Sequence, residues 1–384
     1  MKKTSRRGFL RSLRAGTAAV LVAHRPLPGL SRAALFDTVE SAHDDSLIRL
    51  DRNDNAYGPS RKVIDAIHSS IGSVNRYPVN ECSSLRKRIA DLHHAKPEQV
   101  LMGCGSTEIL RMAAFAFLGR GKQLIQASPT FEAIENYARA VSSDVISVRL
   151  TPRFSHDLDG MQARVGPSTT LVYICNPNNP TASLTPRKDV EDFIGKLPAS
   201  TFVVIDEAYH HYAGQSGMYG SFIDHSIDNE RVIVTRTFSS VYGLAGLRLG
   251  YAVAARNAIQ RMRQFATEED INIVVAQAAS AALDDLDGAN ESVRRNMDDR
   301  QEFFNQAMAR ALKPIESHAN FVMMNTFHPT EDVIEHFRRN NILIGRSFPA
   351  MSTYIRISLG RPDEMRRFWA AWDMLPYPKH TMQH

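Results

Sequence analysis

Thr235-Arg-Thr-Phe-Ser-Ser-Val-Tyr-Gly-Leu-Ala-Gly-Leu-Arg-Leu-Gly-Tyr251 follows directly on the apolar run Val232–Val234. An unbroken β-branched run of this kind reads as a strand buried on both faces of a parallel sheet. The segment after it crowds hydroxyls (Thr237, Ser239, Ser240), glycines (Gly243, Gly246, Gly250) and one cation, Arg248, into a short turn. Glycines let backbone come close to a ligand. Hydroxyls and a guanidinium fork suit a phosphate.

Working outward, the pattern of strand, then polar turn, recurs. Thr170–Cys175 is a second apolar run, stopped by Asn176-Pro-Asn-Asn-Pro-Thr181, which cannot continue a strand. Phe202–Ile205 is a third, and it ends on Asp206-Glu-Ala-Tyr209. A carboxylate closing an apolar strand is costly to bury without a partner. A solvated acid at a strand end is the alternative for that motif taken alone. Val100-Leu-Met-Gly-Cys-Gly-Ser-Thr-Glu108 reads as strand, glycine turn and helix start, with Ile109, Leu110, Ala113 and Ala114 as the buried helix face. The free N–H groups at such a helix start favour an anion. Leu124–Ala127 is a short strand before Ser128-Pro-Thr-Phe131, which opens a helix. Strands alternating with helices from about residue 98 to 255 predict an α/β fold with a mostly parallel sheet. Ligands of such sheets gather outside the carboxyl ends of the strands.

Beyond residue 290 the pattern changes. A long charged helix over Asn290–Leu312 leads to strand Phe321–Asn325, helix Thr330–Arg339, strands Ile342–Ile344 and Tyr354–Ser358, and helix Asp363–Trp372. This predicts a small α+β C-terminal domain over 288–384, joined by part of an N-terminal arm (34–60), beside a large domain over 61–287. The chain has 384 residues, 43% hydrophobic and 23% charged, which suits two domains. No apolar stretch is long enough to span a membrane.

The first 33 residues read as an export signal rather than as fold. Ser5-Arg-Arg-Gly-Phe-Leu10 is a twin-arginine motif, Ala15–Ala23 an apolar run, and Ser31-Arg-Ala33 a cleavage site with small residues. The alternative is a basic amphipathic helix. This segment carries eight Lys/Arg and no acid, so without it the formal charge of +5 becomes −3. The basic balance therefore argues for no nucleic-acid partner. The export reading implies the twin-arginine translocase as a transient partner and a periplasmic or exported location. Cys82, Cys104 and Cys175 show no metal spacing; beside strand-like runs, Cys104 and Cys175 read as buried small hydrophobes.

Taken together, these motifs resemble class I/II aminotransferases that use pyridoxal 5′-phosphate (PLP), and most closely the histidinol-phosphate aminotransferase branch. The family pattern T-x-S-K-x-x-G-L-A-G-L-R-x-G-Y matches the 237–251 region at every fixed position but one, where Ser240 stands for the Schiff-base lysine. Asn176–Thr181 resembles N-P-N-N-P-T-G with Ala182 for glycine, and Leu50–Pro59 resembles N-x-N-E-N-P-Y-G with Asp51, Asp54 and Ala56 differing. The resemblance covers residues 48–375 and implies the fold type I architecture and a homodimer. It implies that Ser106, Thr107, Thr237, Ser239 and Arg248 hold the cofactor phosphate, with Tyr77 reaching in from the partner subunit. It further implies that Phe131 stacks on the pyridine and that Asn179 and Tyr209 bond its 3′-oxygen. Asp206 would pair with the ring nitrogen, and Arg356 and Asn55 would bind substrate. Arg346 is a candidate partner for a distal anion, with a surface charge as the alternative.

The missing lysine changes what the resemblance implies for mechanism. Ser240 forms no imine, and the nearest lysines in sequence are Lys196 and Lys313. Losing a positioned acid–base group costs about 10²–10⁴-fold in rate. Every other site position is in place, so the expectation is that PLP or pyridoxamine 5′-phosphate (PMP) binds non-covalently. Twin-arginine export, which carries folded proteins, fits this. Three functions compete: a lysine-free aminotransferase using His210, His211 or Tyr242 as base, a non-catalytic exported binder of the cofactor or its amino-acid adducts, and a lyase or racemase. For the two histidines an exposed loop is the plainer reading. Phe36–Leu47 lacks the tyrosine that the branch uses for substrate phosphate, which argues against histidinol phosphate and leaves an amino acid or similar amine as the small-molecule substrate.

Overall fold

The apolar runs become the middle of a seven-stranded sheet in the computed structural model, which describes residues 47–267 and 271–376. The twin-arginine motif and its cleavage site lie outside the described residues. In chain order the strands are β1 (Ile48–Leu50), β2 (Val100–Gly103), β3 (Gln123–Ser128), β4 (Asp144–Arg149), β5 (Thr169–Cys175), β6 (Phe202–Asp206), β7 (Val232–Thr237), β8 (Gly250–Ala254), β9 (Phe321–Asn325), β10 (Ile342–Ile344) and β11 (Tyr354–Ser358). The large sheet has the order β2-β8-β7-β6-β5-β3-β4. Only β8 runs against its neighbours in it.

The period of two along each strand explains why these runs are apolar throughout. Val172, Ile174, Val203, Ile205, Val232 and Val234 face one core, packed against helices Arg61–Ser70, Val79–Leu92, Arg187–Lys196 and Ile273–Leu283. Leu171, Tyr173, Val204 and Ile233 face the other, packed against Ser106–Phe117, Ala133–Ala140 and Arg256–Arg263. Both faces of β5, β6 and β7 are covered, so their middles stay apolar and their polar positions fall toward the ends. In register, Cys175, Asp206 and Thr235 lie side by side at the carboxyl edge.

The long helix runs over Leu286–Ala309, starting four residues before the predicted Asn290 because Asp285 caps it by accepting from the Gly288 N–H. It leads into a third core, where the Phe337 and Phe368 rings stack at 4.8 Å. β9 and β11 pair antiparallel there. β1 pairs parallel with β10, tying the start of the described chain to the C-terminal part. No helix among the described residues is long and apolar enough to cross a membrane.

Two expectations need correcting. Cys175 is buried, but Cys104 is exposed. It sits in the turn between β2 and the following helix, where its N–H donates to Glu108 Oε2 at 2.7 Å. His210 and His211 are not on an exposed loop; they open the helical turn His210–Ala213 and are half-buried.

Candidate active site

A cavity of about 530 Å³ opens at the carboxyl edge of the sheet. It brings together Ser106, Thr107, Phe131, Asn179, Asp206, Tyr209, Thr237, Ser239, Ser240, Arg248, Arg346 and Arg356. These residues come from seven separate stretches of chain. Tyr77 and Asn55, both singled out in the sequence, are elsewhere. Tyr77 is 78% exposed and does not line the cavity. Asn55 is spent on the loop behind it: its Nδ2 donates to the backbone oxygens of Ser240 (3.3 Å) and Val241 (3.2 Å) and to Ser292 Oγ (2.8 Å).

One end of the cavity is built for an anion. The helix Ser106–Phe117 begins with no side-chain cap on its N-terminal N–H groups. Gly105 precedes it at φ +77°, and a Cβ there would overlap the Arg248 guanidinium. Gly250 is equally constrained, since its Cβ would strike the backbone of Gly105 and Ser106. Glycine at these two positions thus brings Arg248, β8 and the helix N-terminus together. Thr237 Oγ1 lies 2.8 Å from Ser239 Oγ and accepts from the Ser239 N–H at 3.1 Å, which sets both hydroxyls on this side.

The floor is Asp206. Its Oδ2 accepts from the Tyr173 hydroxyl at 2.9 Å, while Oδ1 is buried with no hydrogen-bond partner. Burial pushes its pKa up to about 6, against the opposing pull of the Tyr173 hydroxyl and of the nearby Thr235 hydroxyl and Ala208 N–H, neither of which meets Oδ1 in hydrogen-bond geometry. A cation or protonated nitrogen at Oδ1 would satisfy the orphaned oxygen and restore the charged form. Tyr209 stands beside it, its phenol pushed up to about 12 by burial and so protonated. Its oxygen accepts from Asn53 Nδ2 (3.0 Å) and Asn179 Nδ2 (3.4 Å), which leaves its own hydrogen uncommitted.

Arg356 fixes that arrangement. Its Nη1 donates to Asn179 Oδ1 at 2.8 Å, so the Asn179 amide must turn its Nδ2 toward Tyr209. Its Nη2 donates to the Asp51 carbonyl at 2.8 Å, and its Nε is buried without a partner. Burial lowers the Arg356 pKa, Arg346 pushes the same way, and Tyr209 and Glu132 oppose them.

Ser240 is buried in the cavity wall, and its hydroxyl donates to the Ala208 carbonyl at 2.9 Å. No lysine lines the cavity among the described residues. His210, His211 and Tyr242 do not line it either. His211 Nε2 lies 3.4 Å from the Tyr242 hydroxyl, and burial holds its imidazole down to about 3. The sequence reading missed Asn53, Arg52, Asp54 and Glu132, all of which line the cavity, and Tyr173 behind Asp206. For Asn53 and Asp54 a signal existed, since both fall within the Leu50–Pro59 motif.

Residues 45–371 match the family described as aminotransferase class I and II. A histidinol-phosphate aminotransferase of Caldicellulosiruptor saccharolyticus is 32% identical over 84% of this chain and 90% of that protein. An aromatic amino acid aminotransferase of Cutibacterium acnes is also 32% identical, over 77% of this chain and 84% of its own length. The crystal structure of histidinol-phosphate aminotransferase from Sinorhizobium meliloti in complex with pyridoxal-5′-phosphate superposes with a TM-score of 0.80 at 26% identity, covering 92% of this chain and 97% of that one. With the seven-stranded sheet, its single antiparallel strand and the cavity at its carboxyl edge, the fold is that of the fold type I PLP-dependent transferases, and the chain belongs to the class I and II aminotransferase family.

Proposed function

We propose that this is an aminotransferase-family protein, similar to histidinol-phosphate aminotransferases, that binds PLP or PMP without a covalent link and acts on an amino acid or a related amine. The observation that carries the reading is Asp206, buried with one carboxylate oxygen orphaned at the cavity floor. A carboxylate held this way needs a protonated partner, and a pyridine nitrogen is one. When bound, the cofactor supplies a reactive carbonyl or amine and an electron sink for the substrate's Cα.

The rest is done by this chain. The helix start at Ser106 and Thr107, with Thr237, Ser239 and Arg248, would hold the phosphate. Asp206 would keep the ring nitrogen protonated. Tyr209 would donate its free hydrogen to the 3′-oxygen, oriented by Asn53 and Asn179. Phe131 would cover the ring face. Arg356 would offer its unpaired Nε to a substrate carboxylate. Ser240 has no amine and its hydroxyl titrates far above neutral pH, so it supplies neither an imine nor a base; it is held by donating to the Ala208 carbonyl.

A second reading, an exported binder with no catalysis, is favoured by the absence of lysine and histidine from the lining among the described residues. The test is equilibrium dialysis and absorbance titration of the mature protein with PLP and PMP, beside Ser240→Lys. No uptake of either cofactor would remove both readings. Uptake followed by keto-acid formation from an L-amino acid establishes a lysine-free aminotransferase. Uptake without turnover, together with a borohydride-reducible imine only in Ser240→Lys, establishes the binder. Export through the twin-arginine route and a homodimer in which Tyr77 reaches the other subunit's cofactor complete the proposal.

A further inference from the structure

We infer that Glu132 sets the specificity of the cavity by occupying Arg346, so that the site gives no advantage to substrates with a second anionic group. The inference rests on the cofactor reading above, and it concerns the end of the cavity lined by Glu132, Arg346 and Arg356.

Two cations face that end. The guanidinium carbons of Arg356 and Arg346 lie 5.5 and 4.4 Å from one ring centroid, that of Phe348. A dicarboxylate that met both would place one carboxylate on each. Arg346 is not free to receive one, because its Nη2 is paired with Glu132 Oε1. Glu132 follows Phe131 after β3, whereas Arg346 follows β10, so the pair closes across the cavity between distant parts of the chain. Arg356 has no carboxylate of its own: its two Nη groups go to an amide and a carbonyl oxygen. Arg356 therefore keeps its charge uncompensated by a carboxylate hydrogen bond, whereas Arg346 is internally neutralised.

A ligand anion that reaches Arg346 must displace Glu132 and then sit beside its freed carboxylate. The pair is about half exposed, with 52% and 40% of the side chains accessible. Losing it costs little by itself; the like-charge contact it leaves is the discriminating element. An uncharged distal group leaves the pair intact.

Glutarate and its monoamide test this, because neither has an amine and both report binding alone. PLP-loaded wild type, Glu132→Gln and Glu132→Gln/Arg346→Gln are titrated with each by calorimetry. Wild type is expected to bind the two acids within about twofold, and Glu132→Gln to bind glutarate on the order of fivefold to tenfold tighter with the monoamide unchanged. Removing Arg346 as well should abolish the gain. A wild type that already prefers glutarate by about tenfold, or a Glu132→Gln protein whose ratio does not move, overturns the inference. Cofactor loading is measured first in the same cell. No uptake overturns the cofactor reading and this inference with it, whereas uptake with an unmoved ratio overturns the inference alone.

Discussion

Tyr173 donates its hydroxyl hydrogen to Asp206 at 2.9 Å from the neighbouring strand, and leaves the other carboxylate oxygen to the cavity. Tyr173 lies opposite Val204 in the sheet register. Asp206 is two residues further along, on the same face, so the pair is a diagonal cross-strand contact. The strand geometry thus supplies half of what the carboxylate needs and leaves Oδ1 without a partner among the described residues.

That arrangement makes the cofactor-free protein pH-sensitive. The Asp206 pKa is raised to about 6 by burial, so the folded state disfavours the charged form. Below the ordinary carboxylate range there is no penalty. As pH rises through about 6, stability is lost, by at most about 3 kcal/mol. Asp206→Asn should therefore stabilise the cofactor-free protein at pH 8, by up to that amount, and leave it unchanged near pH 4. Denaturant unfolding across this range checks it, and cofactor affinity should fall in the same variant.

Behind Asp206, Glu207 is buried against Arg236, which donates Nε (3.1 Å) and Nη2 (2.9 Å) to one oxygen. The Phe222 N–H and the Ser221 hydroxyl also donate to it, at 2.6 and 2.8 Å. Glu207→Ala strands a buried guanidinium and should cost about 3–5 kcal/mol in urea unfolding. Replacing both partners by apolar residues of similar volume should recover most of that loss.

Gly250→Ala tests the phosphate cradle. The added methyl meets the backbone of Gly105 and Ser106, which cannot yield as a flexible side chain would. A loss of about 1–3 kcal/mol in stability is expected, with a weaker affinity for inorganic phosphate and PLP. An alanine variant as stable as wild type with full affinity would show that the helix start is not held in place by this contact.

Tyr77 belongs to an exposed apolar stretch with Ile71, Val74 and Val79, each more than half accessible in the single chain. If this face meets a second copy, sedimentation will report a dimer. Tyr77→Phe should then keep the dimer and weaken cofactor affinity roughly tenfold, the worth of one hydrogen bond to a charged group.

Much of the site was legible in the chain alone. Each short motif sits at a strand or helix end, where turn chemistry is local: prolines and asparagines stop β5, glycines and hydroxyls follow β7, and Ser106 opens a helix. The order of these motifs carried the fold. The Ser240 substitution was equally plain, because it is a change of one residue in a fixed pattern.

What needed the tertiary structure was everything decided by neighbours far away in sequence. The sequence cannot reveal that Tyr173, an ordinary inward position of an apolar strand, reaches Asp206, since that depends on which strands pair. It cannot reveal that Glu132 meets Arg346 or that Asn53 holds Tyr209, since those contacts arise where separate parts of the chain close on one cavity. Nor does it decide that His210 and His211 are kept out of the lining while Ser240 is kept in. Sequence periodicity fixes which face of an element is apolar; which polar groups meet at its end is a property of packing.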